Sequence, residues 1–373
     1  MTARFYQLPQ GNTVPVLVVC GIDEPAMMAT SMSLQFGLPN AVAVRHTINL
    51  QRQQLTRTVS DVMGVLEYEQ IDLAHTCVSC AIREDIVPTL ERLAALDRWD
   101  AIIACLPVAA EAVQVCRVLG NTPRAVRRVD ISAVVTALDG TTVSEDLLGE
   151  ELLCERGLAT FEGDERGVAE VACAMVEYAD VVSLSETPSS QENALVAALA
   201  RPRVPMIDDP ALLNAVALAT GVHRHQVTED WVAEVRRGEL PDMADSGVWR
   251  LDLRSDRPFH PVRIHDELMI LGGGPRRSRG CFWLPTRPQD ICVWDGAGGQ
   301  TSVGALEQWA HGQTPLTRLV IVGLADSAGD CQEIEAAFHR CLLTDEELAS
   351  RGQIWEESFD GLEPWLGPIN RAA

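Results

Sequence analysis

Apolar residues fall in short unbroken runs through the first part of the chain. Val14-Pro15-Val16-Leu17-Val18-Val19-Cys20 is apolar at every position and stops at Gly21, the mark of a strand covered on both faces. The pattern recurs at 42–45, 100–105, 131–138 and 181–184, with a short last strand at 205–207. Between them, helical spacing of apolar positions predicts helices over 27–36, 168–178 and 192–199. Strands alternating with helices predict an α/β domain with a mostly parallel sheet.

The pattern changes near Gly221. Residues 223–243 are polar and acidic and contain Gly238 and Pro241, so 223–247 reads as a connector. Trp249-Arg250-Leu251-Asp252-Leu253 then alternates as a half-exposed strand does. Further strands are predicted at 281–284, 291–294 and 319–322, and helices at 262–271 and 331–341. Thr344-Asp345-Glu346-Glu347 has the form of a capping box that starts a last helix. The expected division is 1–222, a connector at 223–247, and a smaller α+β domain at 248–373.

Composition narrows the partners. Among the 373 residues, 47% are hydrophobic and 22% charged, which suits globular domains. A net charge of −23 repels phosphate backbones, so direct nucleic-acid binding is not expected outside a larger assembly, and protein partners are favoured. The short basic clusters Arg124-Arg127-Arg128 and Arg276-Arg277-Arg279 read as solvated loops. No apolar run reaches transmembrane length, so no membrane partner is expected. Residues 1–12 are polar and do not resemble a signal peptide, and the expected location is cytoplasmic. Of the 11 cysteines, Cys20, Cys105, Cys116, Cys173, Cys292 and Cys341 sit in apolar runs, where cysteine acts as a small buried hydrophobe.

Cys77 and Cys80 are different. They sit three apart with His75 alongside, and two thiolates at that spacing can point at one Zn²⁺ from a tight turn. Ile82, Ile86, Leu90 and Leu93 then place one apolar face on a following helix, and Arg83-Glu84-Asp85 suits its first turn. His75 is a candidate third ligand or a solvated loop histidine. Asp72, Glu84, Asp85 or a water are candidates for the fourth position. A relic cysteine pair beside a helix start is the plainer alternative. His223 and His225 in the connector read as solvated. Trp283 and Trp294 read as core, whereas Trp231, Trp355 and Trp365 lie in polar segments and read equally as partner anchors or edge packing.

Several segments, taken in order, carry a resemblance. They are Val14-Pro15-Val16, Cys77-Val78-Ser79-Cys80-Ala81-Ile82-Arg83-Glu84-Asp85, Val134-Val135-Thr136-Ala137-Leu138-Asp139 and Tyr178-Ala179-Asp180-Val181-Val182. In the second domain they are Arg257-Pro258-Phe259-His260-Pro261, Gly280-Cys281-Phe282-Trp283-Leu284, Arg287-Pro288 and Leu342-Leu343-Thr344-Asp345-Glu346-Glu347. Over nearly its whole length the chain resembles CobW-type proteins, P-loop GTPases used as metal chaperones and metal-centre assembly factors. The resemblance implies a P-loop GTPase-like domain followed by a CobW C-terminal domain. It also implies zinc at the cysteine turn, where Ser79 replaces the middle cysteine of the family's Cys-x-Cys-Cys motif.

The nucleotide elements depart from the family. A P-loop needs glycines to present N–H groups to phosphates, a Lys, and a Ser or Thr for Mg²⁺. Here the loop reads Gly21-Ile22-Asp23-Glu24-Pro25-Ala26-Met27-Met28, with Met27 and Met28 at the Lys and Thr positions. Cys105 stands where the family has Glu, and Ser185-Glu186-Thr187-Pro188 where it reads guanine. The expectation is a pseudo-GTPase with no catalytic residues and no enzymatic activity. A degenerate CobW-like branch of this kind, from mycobacteria and their relatives, accompanies zinc starvation. The resemblance implies a zinc-responsive adaptor that recruits a hibernation factor to the ribosome. The alternative is a zinc metallochaperone with residual GTP binding; a thiol-redox enzyme lacks a supporting fold signal.

Overall fold

The computed structural model describes residues 13–72, 78–122, 127–243, 247–325 and 330–369. The chain forms two compact units, Met1–Val143 with Glu151–Val232, and Ser144–Glu150 with Ala233–Ala373.

The first unit is built on an eight-stranded sheet. Its strands are β1 (Val14–Gly21), β2 (Ala41–Asn49), β3 (Gln54–Asp61), β4 (Gly64–Asp72), β5 (Ala101–Cys105), β6 (Val129–Leu138), β7 (Val181–Leu184) and β8 (Met206–Ile207), in spatial order β4-β3-β2-β5-β1-β6-β7-β8. From β2 to β8 all neighbours are parallel. This is the mostly parallel α/β sheet the apolar runs predict. On one face, α1 (Glu24–Gly37) and α8 (Ala215–Ala219) close over Leu17, Val19, Ile103 and Val135. On the other lie α3 (Val87–Ala94), α4 (Ala112–Asn121) and α6 (Val168–Tyr178). Val16 to Cys20 are inaccessible on both sides, as a central parallel strand requires. Gly21 ends β1 because a Cβ there would lie 2.5 Å from the Ala137 carbonyl oxygen of β6.

Two strands escape the hydrophobic pattern. β3 and β4 form an antiparallel hairpin that extends the sheet beyond β2. β4 has no buried residue, so its sequence shows neither an apolar run nor a clean alternation.

The second unit holds an antiparallel sheet of β9 (Val248–Ser255), β10 (Arg276–Leu284), β11 (Arg287–Ala297), β12 (Gln300–Gln308) and β13 (Thr317–Leu324), in order β12-β11-β10-β13-β9. Helices α10 (Pro261–Gly272) and α11 (Cys331–Cys341) share a core with Phe259, Phe282, Trp294, Leu319 and Phe338. Phe259, from the Arg257–Pro261 turn, meets Phe338 edge-on at 5.3 Å. The capping box is present: Thr344 Oγ1 accepts from the Glu347 N–H, and the Glu347 carboxylate accepts from the Thr344 N–H.

One surface reading is corrected by the structure. Arg276 and Arg277 are buried in β10: Arg276 donates to the Ile270 carbonyl and Arg277 pairs with Asp295. They read as a solvated loop because a strand carrying two consecutive arginines breaks the apolar pattern. Trp355 is buried, with the Arg351 guanidinium over its ring, while Trp365 is half-exposed.

Candidate functional site

Ser79 and Cys80 of the cysteine motif lie in a helix. α2 (Val78–Ala81), a single π-turn (Ile82–Ile86) and α3 follow one another without a break. Helix formation therefore begins at Val78, earlier than the Arg-Glu-Asp run suggests, and Cys80 lies within its first turn. Cys80 is half-buried, and Ser79 is exposed with its hydroxyl 3.5 Å from Gln114 Oε1 on α4. His75 and Cys77 lie outside the described residues. Ile82, Ile86, Leu90 and Leu93 all point into the core, as their spacing predicts.

Inserting a π-turn shifts the helix register, and such turns recur where function needs a side chain re-aimed. Here the π-turn carries Asp85, which is buried. Its Oδ1 lies 2.9 Å from His46 Nε2 on β2, and its Oδ2 pairs with the Arg57 guanidinium from β3. Arg57 also donates to Thr89 Oγ1 at 3.2 Å and pairs with Glu69 on β4, while Arg92 grips Glu67 through two bonds of 2.7 and 2.8 Å. Burial pushes the Asp85 carboxyl up, but the hydrogen bond and charge of His46, with the Arg57 guanidinium, outweigh it and hold the carboxyl below its usual range. Asp85 is therefore committed to the hairpin and is removed from the candidate ligands. Asp72 accepts from Gln54, and Glu84 is exposed.

The loop after β1 is built differently. Asp23 caps α1, its Oδ1 accepting from the Ala26 N–H at 2.7 Å. Pro25 supplies no N–H to the first turn. Glu24 pairs with Arg45 in the middle of β2. Met27 is 2% exposed and belongs to the core under α1, while Met28 is partly exposed. Cys105 ends β5 beside this loop, and burial pushes its thiol up to about 12. The loops after β6 and β7 close on each other: a Cβ on Gly140 would fall 1.8 Å from the Glu186 carbonyl oxygen.

The histidines of the expected connector are structural. The helix α9 (His225–Val232) belongs to the first unit, and buried His223 donates or accepts through Nδ1 at 2.8 Å from Asp180. Tyr178 Oη lies 3.3 Å from His225 Nδ1 and donates to Glu229 at 3.2 Å. Sequence polarity hid this because the partners, Asp180 and Tyr178, lie 43 and 47 residues away in the chain. Among the described residues, no three His, Cys, Asp or Glu side chains group so as to hold a metal, and no helix is long and apolar enough to cross a membrane.

Residues 47–213 match the CobW/HypB/UreG nucleotide-binding domain, and residues 248–342 match the cobalamin synthesis protein CobW C-terminal domain. The chain belongs to the CobW family. The first match begins after the degenerate loop of 21–28. A Mycobacterium tuberculosis protein named a zinc chaperone is 27% identical over 385 residues, covering 94% of this chain and 93% of its own. A Dictyostelium discoideum protein named zinc-regulated GTPase metalloprotein activator 1 is 22% identical, covering 80% of this chain and 70% of its own. The crystal structure of the Zn(II)-bound YjiA GTPase from E. coli matches 89% of this CobW-family chain and all of its own at 15% identity, with a TM-score of 0.35.

Proposed function

We propose that this CobW-family protein is a non-catalytic, zinc-responsive adaptor that lost its GTPase chemistry and kept its metal turn. The observation that carries this reading is the Asp23 carboxylate at the N-terminus of α1 with Met27 buried behind it. Phosphate binding at that place needs free N–H groups and a cation. Here the first turn already holds its own anion, and the Lys position has become part of the core.

Zinc is the metal proposed, held by the Cys77 and Cys80 thiolates with His75 as third ligand. The donor set suits zinc, which takes sulfur and imidazole nitrogen together. Half-burial of Cys80 leaves a thiol within reach of an incoming ion. The names of the mycobacterial and Dictyostelium relatives support a zinc-linked role.

The proposed partner is a ribosome hibernation factor or the ribosome itself, under zinc limitation. A chain of charge −23 is suited to a basic protein partner. The coupling runs through the π-turn: metal bound at Cys80 acts on α2, and the Asp85 contacts to His46 and Arg57 pass the change to the β3–β4 hairpin. A coupling of about 1–3 kcal/mol changes partner affinity by roughly fivefold to a hundredfold.

Calorimetry with GTP and Mg²⁺ tests the first half, and no heat of binding is expected. Micromolar, Mg²⁺-dependent binding would sink it. Sucrose-gradient sedimentation of lysate with and without a zinc chelator tests the second half, with co-migration with ribosomes expected only under chelation. The second reading, a zinc metallochaperone, is favoured by the printed name of the mycobacterial relative. Zinc transfer to an apo-enzyme, with no ribosome association in either condition, would select it.

A further inference from the structure

The first unit contains a cavity of about 480 Å³ away from the cysteine turn. It opens at the start of β7 and the edge strand β8, and α8 forms its floor. That volume lies within the range of small-molecule sites. Its walls are mainly apolar, with Val181, Pro205, Ile207, Leu213 and Leu218 among the lining residues. Two arginines line the same cavity in a chain that is otherwise strongly acidic.

The two arginines are held differently. Arg201 is fixed by Asp180, to which its Nη2 donates at 2.6 Å. Asp180 is itself saturated, because it also accepts from the Val134 N–H at 2.9 Å and meets His223. Arg201 Nε is shielded from solvent, so this guanidinium serves the fold. Arg203 makes no hydrogen bond or ion pair among the described residues. Its backbone has φ of 70°, a conformation that non-glycine residues seldom adopt and that the surrounding structure must impose. An unpaired guanidinium on a constrained backbone and apolar walls therefore share one cavity.

We infer that this cavity binds a small amphiphilic carboxylate, an organic acid with an acyl or aromatic body. The apolar body lies against Ile207, Leu213 and Leu218. The carboxylate takes the Arg203 guanidinium, a charge-assisted geometry that arginine provides well. Nothing in this assignment depends on the metal or on the adaptor role.

The probe is dodecanoate, with methyl dodecanoate as a neutral control, titrated calorimetrically into the full chain. Dodecanoate is expected to bind one equivalent, and the ester to bind roughly tenfold to a hundredfold more weakly, the usual value of a charged hydrogen bond. Arg203→Ala is expected to weaken the acid by a similar factor and leave the ester unchanged. Arg203 is exposed and unpaired, so that variant should melt like the parent chain. Ala217→Trp, on the solvent-facing side of α8 at the cavity rim, should block both ligands. No binding of dodecanoate, or equal binding of acid and ester with no effect of Arg203→Ala, would overturn the inference.

Discussion

The cysteine turn and the loop after β1 are both short entries into a helix in the same unit, and they have been finished in opposite ways. At the loop, the charged groups are occupied and the Lys position is buried: Asp23 caps the helix, Glu24 takes Arg45, and Met27 joins the core. At the turn, Ser79 stays exposed and Cys80 half-exposed, while the charged groups behind them form a buried network. A site closes when its polar ends are satisfied internally. It stays reachable when the residues at its mouth remain at the surface and only the groups behind them are buried.

The largest test of that contrast is Asp85→Asn. Removing the buried partner leaves Arg57 with only the exposed Glu69 carboxylate, so a loss of about 3 kcal/mol is expected in urea unfolding. The pH profile carries the same signature. Asp85 is held below its usual range in the folded chain. Its contribution is complete above the unfolded carboxyl value of about 3.9 and is lost as pH falls through the lower folded value. The difference between parent and Asp85→Asn should therefore shrink on the acid side. A constant difference down to the lowest folded pH would show that the effect is packing alone.

Ser79→Cys asks whether the turn is still open to metal. Structural zinc is worth about 10–16 kcal/mol over four ligands, or roughly 3 kcal/mol for one. A third thiolate should thus raise zinc affinity by about a hundredfold, read by competition with a chromophoric chelator. The paired variant Cys77→Ala with Cys80→Ala should remove zinc from dialysed protein. Retention of the parent stoichiometry would place the metal elsewhere.

Met27→Lys with Met28→Thr restores the phosphate-binding residue types at the closed loop. The buried cation should cost about 2–3 kcal/mol without creating GTP binding, since Pro25 and the 185–188 loop are unchanged. Recovery of nucleotide binding would mean that the loop is shut by two side chains only. Smallest is Asp23→Ala, a lost N-cap worth about 1 kcal/mol in melting experiments. A neutral result would show that the Ala26 N–H finds another acceptor, and the loop would then be more open than its geometry indicates.

Much of this was legible along the chain. Unbroken apolar runs located β1, β5, β6 and β7 because a parallel strand buried on both faces leaves no polar position. Residues at 3.6 spacing located α6, α10 and α11. The capping box marked α12 (Asp345–Arg351), because its two bonds are local. The Cys77 and Cys80 spacing and the changed phosphate loop were also readable, since both depend on residue type over a few positions.

Tertiary structure alone decided the rest. The β3–β4 hairpin has an exposed outer strand and so leaves no apolar trace. Asp85 read as a first-turn acid and a candidate fourth metal ligand. It is buried because His46 and Arg57, 39 and 28 residues away in sequence, supply the charge and donors that its desolvation requires. The same holds for Arg276 and Arg277 in β10 and for His223 on Asp180. Burial of a charged group depends on a partner brought from elsewhere in the fold, and local sequence carries no record of that partner.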